Sequence, residues 1–190
     1  MSEQVTGAEL LIEALKKNDL KNVYGVVGIP VTDLARMMQR SGMRYFGFRR
    51  EDSAVNAAAA SGFLTGKPGL ALTVSAPGFL NGLVALGEAT KNCFPVIMIS
   101  GSSERHIIDL NRGDYEGLDQ YNIAKPFCKA AYRVDRPEDM GLAVARAIRS
   151  AVSGRPGGVY LDLPADTIGA LLDENIDPES TLIKEEDPAP

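Results

Sequence analysis

Histidine and cysteine are nearly missing from this 190-residue chain, which has one of the former, His106, and two of the latter, Cys93 and Cys128. A single histidine in SSERHIIDL, with no GxSxG string near it, leaves no nucleophile–base triad to assemble and reads as a solvated loop residue. The two cysteines lack CxxC spacing and a neighbouring histidine, which favours buried free thiols over a disulfide or a metal site. Long apolar runs are absent as well: no window approaches the ~18 residues of a membrane helix, and MSEQVTGAEL has no cationic segment leading into an apolar one. A cytoplasmic protein without a membrane partner is expected. No basic run occurs, and 20 Lys+Arg against 25 Asp+Glu give a net charge of -5, so nucleic acid is not an expected partner. There is no GxxxxGK[ST], and GVVGIP lacks the GxGxxG order, which removes the P-loop and the dinucleotide site. No fixed-period repeat points to a solenoid.

What is present is a regular alternation. Hydrophobic residues make up 45% of the chain, enough for one good core. GAELLIEALKKND puts Leu10, Leu11, Ala14 and Leu15 on one helical face, and NVYGVVG then reads as a buried strand. PVTDLARMMQRSG is expected as a helix with Pro30 at its start and Gly42 just past its end. MRYFGF, GLALTVSA, PVIMIS, CKAAYRV and GGVYLDL read as further strands, separated by helices over 51–65, 78–91 and 137–153. A polar passage from Gly101 to Ala124 interrupts this rhythm, as functional loops do. Six strand candidates, several continuously apolar, predict an α/β fold: a doubly wound parallel sheet with helices on both faces. The domain is expected over residues 1–166, with 167–190 as an acidic linker tail.

In an open parallel sheet, ligands collect beyond the carboxyl ends of the strands. Those ends carry Gly28–Pro30, Arg49–Glu51, Ser75–Gly78 and Gly101–Ser103, and Glu51 is the only carboxylate among them. Two readings of Glu51 are open. A first-turn acid offsets the helix dipole by ~0.3–1 kcal/mol and needs no other reason. Alternatively, a glutamate flanked by Phe48 and by a helix of small side chains is a desolvated acid, able to share a proton with a heterocyclic nitrogen. The run Ala57–Ala60, Ser61, Gly62 serves close helix-on-sheet packing and also lets a flat ring or partner surface approach. GRPGGVYLDLP is either an anion nest around Arg155 or a tight turn feeding the last strand.

Several strings together resemble the N-terminal pyrimidine-binding domain of thiamine-diphosphate-dependent enzymes: YGVVGIPVTDL, FRREDSAVNAAAASGF, LTVSAPGFLNG, ISGSSER, RGDYEGLDQYNIAKPFCKAAYRV and SGRPGGVYLDLP. Within that family GVVGIPVTDLAR, SAPGFLNG, SGSSER and GDYEGLDQ are most similar to the branch that decarboxylates oxalyl-CoA to formyl-CoA and carbon dioxide. The resemblance implies that Glu51 hydrogen-bonds N1′ of the cofactor's aminopyrimidine, the cofactor being the electron sink. It implies that Tyr115 and Glu116 approach the substrate side, that Ile29 lines the pocket near the reacting carbon, and that Gly78 and Asn81 face the pyrimidine. Arg155 matches a position that contacts an activating nucleotide. Arg50 stands where the family usually has histidine, and Asp52 where glutamine is common; an inward-pointing Arg50 would set a cation beside the glutamate and blunt proton sharing. The family binds diphosphate and Mg²⁺ through a GDG motif followed by Asn-Asn on a separate domain, and the only GD here is GDYEG. The expectation is therefore a fragment of a longer enzyme that also has central and diphosphate-binding domains, or less readily a small subunit, completed as a homodimer or tetramer. The alternatives are a 2-hydroxyacyl-CoA lyase, an acetolactate-synthase-like carboligase, or a non-catalytic dimerisation module of the same fold.

Overall fold

The computed structural model describes residues 4–185. The expectations placed on 1–3 and on 186–190, the end of the acidic tail, lie outside the described residues. The chain opens with α1 (Gly7–Lys17), and the string TGAE closes a capping box on it: Thr6 Oγ1 accepts from the Glu9 amide while the Glu9 carboxylate accepts from the Thr6 amide. Such a cap is worth about 1 kcal/mol. There follow β1 (Asn22–Val26), α2 (Thr32–Arg40), β2 (Arg44–Gly47), α3 (Glu51–Thr65), β3 (Gly69–Thr73), α4 (Pro77–Lys91) and β4 (Val96–Ser102). The long loop carries two short helices, α5 (Arg105–Asp109) and α6 (Gln120–Ala124). Then come β5 (Ala130–Arg133), a 3-10 turn Pro137–Asp139, α7 (Met140–Val152), β6 (Gly158–Pro164), α8 (Ala165–Gly169) and α9 (Pro178–Thr181).

The six strands form one sheet in the order β2-β1-β3-β4-β6-β5, every neighbour parallel. The fold class expected from the alternation is the one observed. Two details differ. The helix expected from Pro30 begins at Thr32, and the strand expected over 69–76 ends at Thr73, where the chain turns into α4.

β3, β4 and β6 are buried at every residue, which is why they read as unbroken apolar runs. Their side chains alternate between two cores. Leu70, Leu72, Ile97, Ile99, Val159, Leu161 and Leu163 pack with α1, α2 and α7 on one face. Ala71, Val96, Met98 and Tyr160 meet α3, α4 and α6 on the other. On that second face the approach is close. A Cβ at Gly69 would lie 1.8 Å from the Ala58 carbonyl oxygen, and one at Gly62 would lie 2.0 Å from that of Pro95. The small-residue stripe Ala54, Ala58, Ala59, Gly62 of α3 is thus explained by helix-on-sheet packing.

The residues after Pro164 do not trail away. Leu172 donates its amide to the Val5 carbonyl at 2.8 Å and is buried, and Ile176 and Leu182 rest on the α1–α7 core. At Gly141 a Cβ would come 2.0 Å from the Thr181 carbonyl oxygen, so α7 and α9 touch through backbone.

Candidate active site

The chain order reverses between β1 and β3, and the crevice at such a switch, beyond the carboxyl ends of the strands, is where a doubly wound sheet admits ligands. Glu51 is the first residue of α3 and is only 8% exposed. Asn81, one turn into α4, donates from Nδ2 to Glu51 Oε2 at 3.1 Å. Oε1 makes no hydrogen bond among the described residues and faces Gly78, where a Cβ would stand 3.1 Å from it and 2.2 Å from Val74 Cγ1. A side chain at 78 would collide with Val74 and crowd the free oxygen, so glycine stands there. Ile29 is joined to the same crevice through its carbonyl, which accepts from Ser75 Oγ at 3.1 Å; its side chain is 76% exposed.

Arg50 does not reach Glu51. Its guanidinium turns outward onto Asp52, with Nη2 to Oδ2 at 2.8 Å and Nε to Oδ1 at 3.1 Å. This hydrogen-bonded pairing holds the Asp52 carboxyl down at about 2. The two departures at 50 and 52 thus pair with each other, and the Arg50 guanidinium makes no hydrogen bond or ion pair with Glu51.

Behind the crevice lies a polar cluster that sequence reading missed. Gln120, at the start of α6, is buried; its Oε1 accepts from the Ala76 amide at 2.5 Å, and its Nε2 donates to the Gly101 carbonyl at 2.8 Å and to Tyr160 Oη at 2.9 Å. Tyr160 in turn donates to Asp162 Oδ1 at 3.1 Å, and Thr73 and Ser100 share a hydrogen bond of 2.6 Å on the neighbouring strands. Burial pushes the Asp162 carboxyl up to about 6. Ala76 itself has φ 41°, ψ -95°, a conformation that costs an alanine on the order of 1–3 kcal/mol. The available signal was Asp162, an acid inside an otherwise apolar strand; nothing local marks Gln120.

The other site residues expected from sequence are scattered. Tyr115 and Glu116 sit on a turn of the long loop, Tyr115 83% exposed, tethered by Ser103 Oγ donating to Asp114 Oδ2 at 2.5 Å; neither hydrogen-bonds to Glu51. Arg155 lies at the opposite, amino-terminal edge of the sheet, just before β6. It shares a shallow cavity of about 240 Å³ with Lys91 and Lys129, and donates to Cys93 Sγ and to the Lys91 carbonyl, both at 2.9 Å. His106 is exposed on α5 as expected, whereas Cys93 and Cys128 are free but only half-buried. Among the described residues no three or more His, Cys, Asp or Glu side chains converge on a point that could hold a metal.

Glu51 can therefore hold or accept one proton at Oε1, next to Gly78, while Asn81 fixes Oε2. A planar nitrogen heterocycle fits that donor set. Comparison with known proteins identifies the family. Residues 5–123 match the profile described as "Thiamine pyrophosphate enzyme, N-terminal TPP binding domain". Oxalyl-CoA decarboxylase of Escherichia coli (strain K12) is 61% identical over 193 residues, covering 100% of this chain and 34% of that protein. The 2-hydroxyacyl-CoA lyase of Oryza sativa subsp. japonica is 46% identical over 172 residues, 90% of this chain and 30% of its own length. Human 2-hydroxyacyl-CoA lyase 1 is 38% identical over 173 residues, 91% of this chain and 30% of its own. The chain thus spans about a third of the length of these relatives. With the match covering well over half of the chain, this protein belongs to the thiamine pyrophosphate enzymes and constitutes their N-terminal TPP-binding domain.

Proposed function

We propose that this domain supplies the cofactor-activating glutamate of a decarboxylase that converts oxalyl-CoA to formyl-CoA and carbon dioxide. The observation that carries the reading is the buried Glu51, one oxygen fixed by Asn81 and the other free beside Gly78. When bound, thiamine diphosphate supplies the electron sink for the carbon–carbon bond that breaks. Glu51 Oε1 holds a proton against the pyrimidine ring nitrogen, and Asn81 keeps the carboxyl from rotating away. Phe79 and Val55, both fully buried behind the crevice, keep water from competing for that proton. Ile29, Tyr115 and Glu116 are assigned to the rim toward the oxalyl group, with Glu116 and Tyr115 to orient the water that would return a proton in place of the lost carboxylate. The 61% identity to the Escherichia coli decarboxylase favours oxalyl-CoA over a 2-hydroxyacyl-CoA.

The diphosphate and its Mg²⁺ are assigned to a further domain of the full-length protein, with the segment after Pro164 as the connection through a central domain. The outer faces of α3 and α4 present Phe63, Leu64, Leu80 and Val84, with Leu64 81% and Val84 65% exposed, and this stripe is assigned to the contact between protomers of a homodimer or tetramer. Arg155 with Lys91 and Lys129, three cations on one cavity, suits a nucleotide activator's phosphates. No described helix is long and apolar enough to cross a membrane, and the proposed compartment is the cytoplasm.

The test is Glu51→Gln in the full-length enzyme. Exchange of the cofactor's C2 proton, followed by NMR, should fall by about 10²–10⁴-fold; an unchanged rate refutes the assignment. A parallel substrate panel decides the rest: turnover of a 2-hydroxyacyl-CoA or pyruvate in preference to oxalyl-CoA would reassign the protein to a lyase or carboligase.

A further inference from the structure

We propose that Gln120 is a positioning residue: its side-chain carbonyl clamps the Ala76 peptide and so sets the first turn of α4, with Gly78 and Asn81, against Glu51. The inference rests on the reading of Glu51 as the pyrimidine site and concerns what holds that site in register.

Ala76 is the residue from which α4 springs, and its backbone occupies φ 41°, a region that favours glycine. Nothing in its own side chain sustains that conformation. Its amide is buried and has one partner, Gln120 Oε1. Take the acceptor away, and a buried N–H is left without a partner while the peptide is free to fall back to negative φ. Either relaxation rotates the start of α4 and carries Asn81 off Glu51 Oε2.

The clamp is anchored at its other end. Gln120 Nε2 donates to the Gly101 carbonyl and to Tyr160 Oη, and it lies 3.4 Å from Asp162 Oδ1. These groups belong to β4 and β6, fully buried strands of the sheet. The two ends of the amide are not interchangeable, because Ala76 offers only a donor and Gly101 only an acceptor. A glutamine is required for this pair of tasks: glutamate would lose both donors and set a second carboxylate beside Asp162, and methionine would fill the volume with neither function. Gln120 thereby ties the turns after β3 and β4, on which the crevice is built, to one side chain.

The experiment uses the full-length protein and two variants, Gln120→Met and the double variant Ala76→Gly with Gln120→Met. Amide hydrogen exchange over residues 76–81, measured without cofactor, should quicken about tenfold or more in Gln120→Met, and the thiamine diphosphate concentration for half-saturation should rise by a similar factor. Glycine at 76 adopts positive φ without strain, so the double variant should regain most of the cofactor affinity, a rescue that a general loss of core stability would not permit. Unchanged exchange over 76–81 in Gln120→Met, or a double variant no better than the single one, overturns the clamp. A wild-type protein that fails to bind thiamine diphosphate, while Gln120→Met still loosens 76–81, upholds the clamp and overturns the pyrimidine reading of Glu51. Where Gln120→Met does not accumulate as folded protein, the wild-type amide of Ala76 decides: exchange as slow as the interior of α4 supports the clamp, and exchange as fast as residues 111–118 overturns it.

Discussion

Asp162 is the residue whose environment departs furthest from what its place in the sequence suggests. It sits on β6 among Tyr160, Leu161 and Leu163, and burial, opposed by hydrogen bonds from Tyr160 and Gln120 and by the charge of Arg133, raises its carboxyl to about 6. The folded protein therefore binds this proton more tightly than the unfolded chain, whose carboxyl titrates near 3.8. The group's stabilising contribution is complete below that lower value and is lost as pH rises through 6. Asp162→Asn stays neutral throughout, so its stability relative to wild type should be higher at pH 7 than at pH 4 by about 2 kcal/mol. Denaturant unfolding of both proteins at the two pH values measures this, and a difference that does not change with pH would refute it. Glu51 illustrates the converse, since its position at the joint between β2 and α3 was legible from the alternation alone. That its neighbour Arg50 turns away was not, because the choice depends on Asp52 being within reach of the guanidinium.

At the scale of elements, α3 shows how composition sets geometry. Its buried positions are Glu51, Ala54, Val55, Ala58, Ala59 and Gly62, a helical stripe whose side chains are nearly all small. That stripe lets the helix settle directly on β3, whose second-face residue is Ala71. The backbone contacts at Gly62 and Gly69 leave no room to adjust, since the obstructing atoms are carbonyl oxygens of Pro95 and Ala58. Gly69→Ala and Gly62→Ala should each destabilise the domain by about 3 kcal/mol or more, read as a fall in thermal midpoint. Retention of the wild-type midpoint would mean that α3 can lift from the sheet. Helix lengths and strand order of appearance were read from hydrophobic period. The ends were harder to place: β3 stops at Thr73 because the following residues must turn back into α4 through Ala76, and that turn is held by a glutamine far along the chain.

For the whole molecule, the second helical layer is the telling feature. α1, α2 and α7 bury one face of the sheet, and the returning segment through Leu172 and Leu182 covers part of that layer. The layer of α3 and α4 has no such cover among the described residues and exposes Leu64 and Val84. Under the proposed function this face meets a second protomer. Leu64→Glu and Val84→Glu, at positions already exposed, should change the stability of the fold by no more than about 0.5 kcal/mol. They should shift the full-length protein toward monomer in sedimentation velocity and weaken thiamine diphosphate binding in parallel. A variant that stays fully assembled would remove this surface from the interface.

The βα alternation, the parallel sheet and the placement of one carboxylate at its mouth follow from local pattern: apolar period, Gly and Pro punctuation, and a run of small residues. These are properties of neighbours in sequence, so one sequence suffices to determine them. What only the tertiary structure decided is pairing across distance. Gln120 meets Ala76 from 44 residues away and Asp162 from 42, Asn81 reaches back 30 residues to Glu51, and the segment after Pro164 returns to the first helix. Hydrogen bonds of that kind leave no periodic trace, because each is specified by where the folded sheet brings two strand ends together.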